Sequence, residues 1–309
     1  MAVVVIVGPT CSGKTRLALK LAQRVGGEIV SCDSQQVYIG MDVGTGKVTE
    51  AERARVPHHL LDVVRPDQEM TAARFVALAD RAIENVQSRG KAAIVCGGTG
   101  LYVRALLLGL FESPPAHPEL RAELAKLGVD RLRTELLRVD PVAATKIQAN
   151  DQKRMIRALE VFRLTGEPIS NHQARHNHRA LPYRFDARVV GLAPERQMLY
   201  RAINDRVDAM IANGLESEVA GLRERGFVPP LRSQQAIGYA ELHAAAAGAT
   251  DRTRAVELIK RNSRHYARRQ LSWFRSDPAI AWHAGVADVD LEELERYLRP
   301  STRRSPAIP

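Results

Sequence analysis

The sequence lacks long apolar runs. No stretch of its 309 residues approaches the roughly 18 consecutive apolar residues that a membrane-spanning helix needs. The first residues lead directly into an aliphatic run without the basic segment that opens a secretory signal. These absences predict a cytoplasmic protein with no membrane partner, and 45% hydrophobic residues are enough for a full α/β core.

Cysteine is also scarce. The three cysteines, Cys11, Cys32 and Cys96, lie at or near the ends of predicted strands, and their spacing matches no metal motif. This placement favours reduced thiols near a functional site over a disulfide framework. The sequence also contains no internal repeat.

Acidic residues are outnumbered by basic ones. The chain has 45 Lys and Arg against 35 Asp and Glu, which gives a formal net charge of +10. Such a balance is unusual for an enzyme that acts only on small anions, and it indicates a polyanionic partner. The excess is concentrated in residues 252–275, where Glu257 is the single acid.

A phosphate-binding loop lies between the first predicted strand and the first predicted helix. It follows the aliphatic run 3–7 and precedes the helical pattern 14–24. Glycines in such a loop let backbone N–H groups converge at a helix N-terminus, where they stabilise an anion, and the lysine adds a positive charge. The predicted diphosphate-binding residues are Gly8, Pro9, Thr10, Cys11, Ser12, Gly13, Lys14 and Thr15. The hydroxyl of Thr15 is the predicted protein ligand of Mg²⁺.

Short apolar runs alternate with helical patterns, which predicts an α/β fold: a P-loop parallel sheet with helices on both faces. The predicted strands are 2–7, 28–32, 58–63, 92–96 and 185–192. The pattern between 113 and 182 is purely helical and ends in a polar loop at 168–182. The expected domains are a core of 1–112 and 183–300 with a helical C-terminal region, an inserted all-helical module at 113–182, and a flexible tail at 301–309.

Polar residues follow three of the predicted strands, at the edge of the sheet where open α/β proteins bind ligands. Asp33 follows the second strand, Thr99 follows the fourth, and Asp62 ends the third. Asp33 could hold hydrated Mg²⁺ or accept a proton from a nucleophile. Asp62 occupies the position in which a kinase holds magnesium through water. Either aspartate could instead cap a helix.

Seven motifs together resemble the bacterial type of the tRNA dimethylallyltransferase family. They are the phosphate-binding loop and the segments 33–38, 57–62, 97–102, 150–161, 235–239 and 268–274. The resemblance implies transfer of a dimethylallyl group from dimethylallyl diphosphate to the exocyclic amine of the adenosine 3′-adjacent to the tRNA anticodon. It also implies release of diphosphate, a requirement for Mg²⁺ and an anticodon stem-loop as partner. We also expect a monomer. Eukaryotic relatives append a zinc finger, for which nothing after Trp282 has the spacing.

The resemblance also implies roles for individual residues. Asp33 is the base that accepts the amine proton, and Thr99 is an orienting hydroxyl. Some members carry an arginine where this chain has Gln235, and nearby Arg232 is expected to supply that contact with the diphosphate. The residues implied to bind tRNA are Asp33, Ser34, Gln35, Gln36, Arg121, Lys153, Arg154, Met155, Ile156, Arg157, Gln235, Gly238, Tyr239, Arg264, Arg268 and Arg269.

Three other functions stay open: an adenine-nucleotide isopentenyltransferase, a P-loop kinase and a non-catalytic RNA-binding module. The helical module and the basic C-terminal helix argue against the first, because a mononucleotide gives them nothing to hold.

Two further signals are weak. Residues 44–47, Gly-Thr-Gly-Lys, look like a second phosphate loop but lack its strand and helix, so we interpret them as a mobile loop at the site. The histidines His172, His176 and His178 have no acidic or thiol partner in sequence, which favours a polar surface loop over a metal site.

Overall fold

The computed structural model describes residues 2–111, 114–176 and 181–299. The chain divides into two compact units. The first unit comprises Met1–Leu107 and Tyr183–Pro309, and the second unit comprises Leu108–Pro182. The expected tail at 301–309 and the residue His178 lie outside the described residues.

A parallel sheet forms the centre of the first unit. Its strands are β1 (Val3–Val7), β2 (Glu28–Ser31), β3 (His58–His59), β4 (Ala93–Gly97), β5 (Ala187–Leu192) and β6 (Ala281–His283). Their order is β3-β2-β4-β1-β5-β6, and every neighbouring pair is parallel. All residues of β1 are 1% exposed or less, as expected for a strand covered on both faces. The predicted α/β class is confirmed.

Helices surround this sheet and make up the second unit. They are α1 (Lys14–Val25), α2 (Glu50–Arg55), α3 (Ala72–Ser88), α4 (Gly100–Leu108), α5 (Pro118–Ala125), α6 (Gly128–Val139), α7 (Pro141–Lys146), α8 (Gln152–Thr165), α9 (Ile169–Arg175), α10 (Arg196–Ala212), α11 (Leu215–Glu224), α12 (Tyr239–Ala246), α13 (Arg252–Phe274) and α14 (Leu291–Leu298). Helices α5 to α9 belong to the second unit, whose own apolar core includes Leu124, Leu136 and Leu159.

Local signals explain where the principal helices begin. Helix α1 starts after Gly13, whose φ of 90° suits glycine. Helix α8 is capped by Asp151, and α13 by Asp251, whose side chains each accept a hydrogen bond from the backbone N–H three residues later. None of the helices in the described ranges is both long and apolar enough to cross a bilayer.

Several sequence-based boundaries are wrong. The expected strand 58–63 shrinks to β3, because Leu60 and Asp62 have φ values of 63° and 56°, which a strand cannot contain. The expected helical C-terminal region is interrupted, because a short 3₁₀ turn at Ser233–Gln235 comes first and α12 begins only after Gly238, whose φ is 98°. The expected polar loop at 168–182 contains the helix α9. The elements α2, β6 and α14 were not predicted.

Candidate active site

The carboxyl ends of β2 and β4 and the phosphate-binding loop border a cavity of about 330 Å³ in the first unit. Four residues of the loop line it: Thr10, Cys11, Lys14 and Thr15. The segment 33–36 lines it from the end of β2, and helices α10 and α13 contribute further residues. The structure therefore brings the predicted anion-binding loop and Asp33 to one cavity.

The phosphate-binding loop owes its path to residues that accept unusual backbone angles. Gly8 has a φ of 152°, and a Cβ at this position would lie 2.7 Å from the carbonyl oxygen of Leu192. Cys11 takes a left-handed φ of 61°, and Gly13 a φ of 90°. The ammonium of Lys14 donates to the carbonyl oxygen of Pro9 at 3.1 Å. The loop is thus folded tightly around its lysine before α1 begins.

Lys14 is placed to respond to an anion. Burial lowers its pKa below the ordinary value of 10.5, and the charge of Arg206 lowers it further, while Cys96 and Asp33 oppose these effects. A bound diphosphate would oppose this lowering of the pKa, because an opposite charge nearby stabilises the protonated form.

Asp33 is held at the end of β2 by its own backbone. Its Oδ1 accepts hydrogen bonds from the N–H groups of Gln35 at 2.8 Å and Gln36 at 3.3 Å. Thr99 contacts this turn and the phenol of Tyr266, and its Oγ1 accepts a 2.9 Å hydrogen bond from the N–H of Ser34. The turn orients the carboxylate, and Thr99 supports the turn.

Arg206 of α10 is a site residue that the motifs did not reveal. It lines the cavity, and its Nη1 donates to Oγ1 of Thr10 at 2.9 Å while Nη2 donates to the carbonyl oxygen of Thr45 at 3.2 Å. Arg232, which was expected to supply this positive charge, instead pairs with Glu69 and does not line the cavity. A single arginine in a helical pattern carries no sequence signal that distinguishes these two roles.

In the loop that contains residues 44–47, backbone N–H groups already bind a carboxylate of the protein itself. The carboxylate of Glu218 accepts hydrogen bonds from the N–H groups of Asp42, Val43 and Gly44 at 2.7, 2.7 and 3.1 Å. The side chain of Lys47 is buried; it pairs with Asp42 and donates a hydrogen bond to the carbonyl oxygen of Tyr38. Residues 44–46 do line the cavity, but the amides of this loop are engaged by Glu218 and not directed at a ligand.

Asp62 does not occupy a magnesium position. Its carboxylate pairs with Lys47 and Arg53, and it does not line the cavity. The alternative in which Asp62 holds a metal as in a kinase is therefore not supported by this geometry.

Helix α13 provides one wall of the cavity through Tyr266, Arg269 and Gln270. Burial raises the pKa of Tyr266, and the charge of Asp33, which lines the same cavity, raises it further. The guanidinium of Arg269 lies 5.7 Å from the centre of the Tyr266 ring. Arg268 is exposed, and Arg264 donates to the side chain of Asn204 at 2.6 Å.

Other residues implied to bind tRNA also reach the cavity. The lining includes Ser34, Gln35, Gln36, Gln235, Gly238 and Tyr239. Several have partners within the protein. Gln36 donates to the carbonyl oxygens of Thr45 and Gly46, and Gln235 donates to that of Pro230.

In the second unit, the residues implied to bind tRNA differ in their surroundings. Arg121 and Arg157 both pair with Glu160, which is fully buried, so these arginines stabilise the unit. Lys153 and Arg154 are exposed at the start of α8, and Ile156 is half-buried. Met155 is 0% exposed in the apolar core. The expectation that the Met155 side chain contacts tRNA is therefore not supported.

The described residues contain no cluster of three or more His, Cys, Asp or Glu side chains that could hold a metal ion. The hydroxyl of Thr15 and the carboxylate of Asp33 line the same cavity. Such oxygen donors suit Mg²⁺, which binds proteins through few ligands and completes its shell with water and phosphate oxygens. The residues present therefore fit a magnesium ion that arrives with a diphosphate.

Comparisons with known proteins identify the family of this chain. A tRNA dimethylallyltransferase of Geotalea uraniireducens is 50% identical over 283 residues, covering 90% of this chain and 91% of that protein. A tRNA dimethylallyltransferase of Anaeromyxobacter dehalogenans is 47% identical over the full length of both chains.

Two solved structures are also similar to this chain. The tRNA isopentenylpyrophosphate transferase of Bacillus halodurans has a TM-score of 0.69 at 39% identity, covering 96% of this chain and 95% of that chain. A eukaryotic dimethylallyltransferase, described as acting on tRNA, has a TM-score of 0.76 at 30% identity over 88% of this chain and 69% of that one. The family model for IPP transferases matches residues 36–277. The chain belongs to the IPP transferase family.

Proposed function

We propose that this protein transfers a dimethylallyl group from dimethylallyl diphosphate to the exocyclic amine of the adenosine 3′-adjacent to the anticodon of tRNA. The observation that carries the proposal is that the carboxylate of Asp33 and the phosphate-binding loop line one cavity. A prenyl transfer to an amine needs both a place for the leaving diphosphate and an acceptor for the amine proton.

The leaving group is stabilised by the positive end of the cavity. As the bond between the allylic carbon and the diphosphate oxygen breaks, negative charge grows on the diphosphate. Lys14, Arg206 and the N–H groups of the loop meet this charge, and preorganised donors of this kind lower the barrier to its development.

The amine is activated by Asp33. An adenine amine is a weak nucleophile because its lone pair is delocalised into the ring. As the nitrogen forms its bond to the allylic carbon, one N–H proton passes to the Asp33 carboxylate, while the electron pair of the breaking C–O bond leaves with the diphosphate. The hydrogen bonds from Gln35 and Gln36 to Oδ1 hold this base in place.

Mg²⁺ would be held by the hydroxyl of Thr15 together with diphosphate oxygens. When bound, it neutralises charge on the leaving group.

The RNA would bind along basic surfaces. Arg268 and Arg269 are exposed on α13, and Arg269 also lines the cavity, so this helix would guide an extruded base toward Asp33. In the second unit, Lys153 and Arg154 are exposed and would contact the phosphate backbone. We place the reaction in the cytoplasm and expect a monomer.

The test is incubation of the purified chain with labelled dimethylallyl diphosphate, Mg²⁺ and an anticodon stem-loop containing three adenosines at the target. The expected result is label on the stem-loop and none on AMP. Label on AMP with none on the stem-loop would support the adenine-nucleotide alternative. Phosphoryl transfer from ATP would support a kinase, and an unchanged diphosphate in every reaction would support a non-catalytic RNA-binding module.

A further inference from the structure

Gln270 joins three distant parts of the chain through one side chain. It is 5% exposed and lies near the end of α13. Its Oε1 accepts a 2.9 Å hydrogen bond from the N–H of Thr10 in the phosphate-binding loop. Its Nε2 donates a 2.8 Å hydrogen bond to the carbonyl oxygen of Gly98, in the turn between β4 and α4. The amide therefore satisfies one partly buried donor and one buried acceptor at once.

The turn after β4 is shaped to receive α13. A Cβ at Gly98 would lie 2.3 Å from Nε2 of Gln270, and a Cβ at Gly100 would lie 2.1 Å from Cδ1 of Trp273. The glycines of this segment therefore allow a close approach of the helix. This part of the motif therefore has a packing role.

The contact with Thr10 has a second consequence. The backbone of Thr10 is held by Gln270, and the hydroxyl of Thr10 accepts the hydrogen bond from Nη1 of Arg206. Loss of the Gln270 amide would leave the Thr10 N–H without its partner and free the loop to shift. Arg206 would then lose its fixed acceptor. Gln270 thus acts on the diphosphate end of the cavity through Thr10.

We infer that Gln270 is a positioning residue, which holds the phosphate-binding loop and Arg206 in the arrangement that binds diphosphate. This inference rests on the proposed function, since it assumes that the loop binds the diphosphate of the prenyl donor. It assigns no proton transfer or bond formation to Gln270, whose neutral amide serves only to fix its neighbours.

The experiment compares the wild-type chain with Gln270→Ala and Gln270→Glu. Binding of inorganic diphosphate in the presence of Mg²⁺ is measured by calorimetry, and kcat and KM are measured with dimethylallyl diphosphate and the stem-loop. We expect Gln270→Ala to weaken diphosphate binding about tenfold and to reduce kcat by about 10-fold to 100-fold, as small misplacements in a site do. The KM for the stem-loop should not change.

Gln270→Glu has nearly the same volume and keeps an acceptor for the Thr10 N–H. It loses the donor to Gly98 and adds a negative charge beside the loop, so it should weaken diphosphate binding more than Gln270→Ala does. The matched control is Gln197→Ala, an exposed position on α10, which should bind diphosphate like the wild type.

Wild-type diphosphate affinity and kcat in a folded Gln270→Ala protein would overturn the inference, even if thermal stability fell. Should that variant fail to fold, wild-type diphosphate affinity in Gln270→Glu would overturn it. A wild-type chain that binds diphosphate but leaves the stem-loop unmodified would count against the proposed function, and the affinity comparison would still test Gln270.

Discussion

The hydroxyl of Tyr239 donates a 2.6 Å hydrogen bond to the carboxylate of Glu218. The same carboxylate accepts three backbone N–H groups from residues 42–44. Burial raises the pKa of Tyr239 well above its ordinary value, and the Glu218 charge raises it further, so the phenol stays protonated and able to donate. This pair therefore anchors the loop whose next residue, Thr45, accepts a hydrogen bond from Arg206.

Glu218→Ala should release this loop. Without the carboxylate, the N–H groups of residues 42–44 lose their acceptor, and hydrogen exchange of these amides should accelerate by at least about tenfold, because such protection follows local opening. Hydrogen exchange measured by NMR or mass spectrometry checks this. Glu216→Ala is the control, since Glu216 lies on the same helix and pairs with Arg252 at the surface. Equal protection of the loop in both variants would contradict the anchoring role.

Arg206→Ala should impair the diphosphate end of the site. We expect a loss of about 10² to 10³ in kcat/KM for dimethylallyl diphosphate, the range found when a donor to developing negative charge is removed. Steady-state kinetics with varied concentrations of dimethylallyl diphosphate measures this loss. Arg232→Ala, which removes an arginine that pairs with Glu69 away from the cavity, should behave like the wild type. A larger loss of kcat/KM in Arg232→Ala than in Arg206→Ala would support the expectation that Arg232 contacts the diphosphate.

Asp33→Asn should reduce kcat by about 10² to 10⁴, the usual contribution of a general base. The asparagine side chain keeps an oxygen that can accept the hydrogen bonds from Gln35 and Gln36, so diphosphate binding should survive. Single-turnover kinetics and calorimetry with inorganic diphosphate separate the two effects. Asp67→Asn, at a surface pair with Arg65, is the control. A wild-type kcat in Asp33→Asn would remove Asp33 from the role of base.

Arg268→Ala should weaken RNA binding without changing the binding of dimethylallyl diphosphate. One lost phosphate contact is expected to reduce the slope of log affinity against log salt concentration by about one. Binding of the stem-loop across a salt series provides the slope. Arg81→Ala, an exposed arginine of α3 with no assigned role in RNA binding, should leave it unchanged. Equal slopes for the wild type and Arg268→Ala would show that Arg268 makes no phosphate contact.

Glu28 should stabilise the first unit in a pH-dependent way. Its side chain is 2% exposed and accepts hydrogen bonds from Arg89, Lys91 and His59. The hydrogen bond from Arg89 is the main cause that lowers the pKa of Glu28 far below its ordinary value of 4.5. Glu28→Gln should reduce the free energy of unfolding at pH 7 by about 2 kcal/mol, as expected for hydrogen bonds to a buried charge.

The sign of the pH dependence follows from this depressed pKa. The carboxylate stabilises the folded state fully above pH 4.5, and this contribution is lost as the pH falls through the lower folded-state pKa. The difference in unfolding free energy between the wild type and Glu28→Gln should therefore shrink below pH 4.5. Urea titrations at several pH values measure it, with the exposed Glu119→Gln as control. A difference that is constant with pH would contradict the assignment.

Local chemistry allowed much of this protein to be predicted from its sequence. The phosphate-binding loop was predictable because its glycines, lysine and flanking periodicities are all local. The same holds for the start of α8, since the cap Asp151 and the helix that it caps are adjacent in sequence. The parallel sheet was predicted from short aliphatic runs, which are typical of strands covered on both faces, and from their alternation with helical patterns. The strand expected at 58–63 failed because the left-handed angles of Leu60 and Asp62 have no glycine to signal them.

The sequence by itself determined the fold class, the anion-binding loop and the position of Asp33 after a strand. Only the tertiary structure decided which arginine faces that loop, because Arg206 and Arg232 look alike in sequence and differ in what the folded chain places beside them. It also decided that the amides of residues 42–44 are engaged by Glu218, and that Gln270 reaches Thr10 across most of the chain. Hydrogen bonds between residues so far apart depend on the packing of whole helices against the sheet, and no local pattern of residues records that packing.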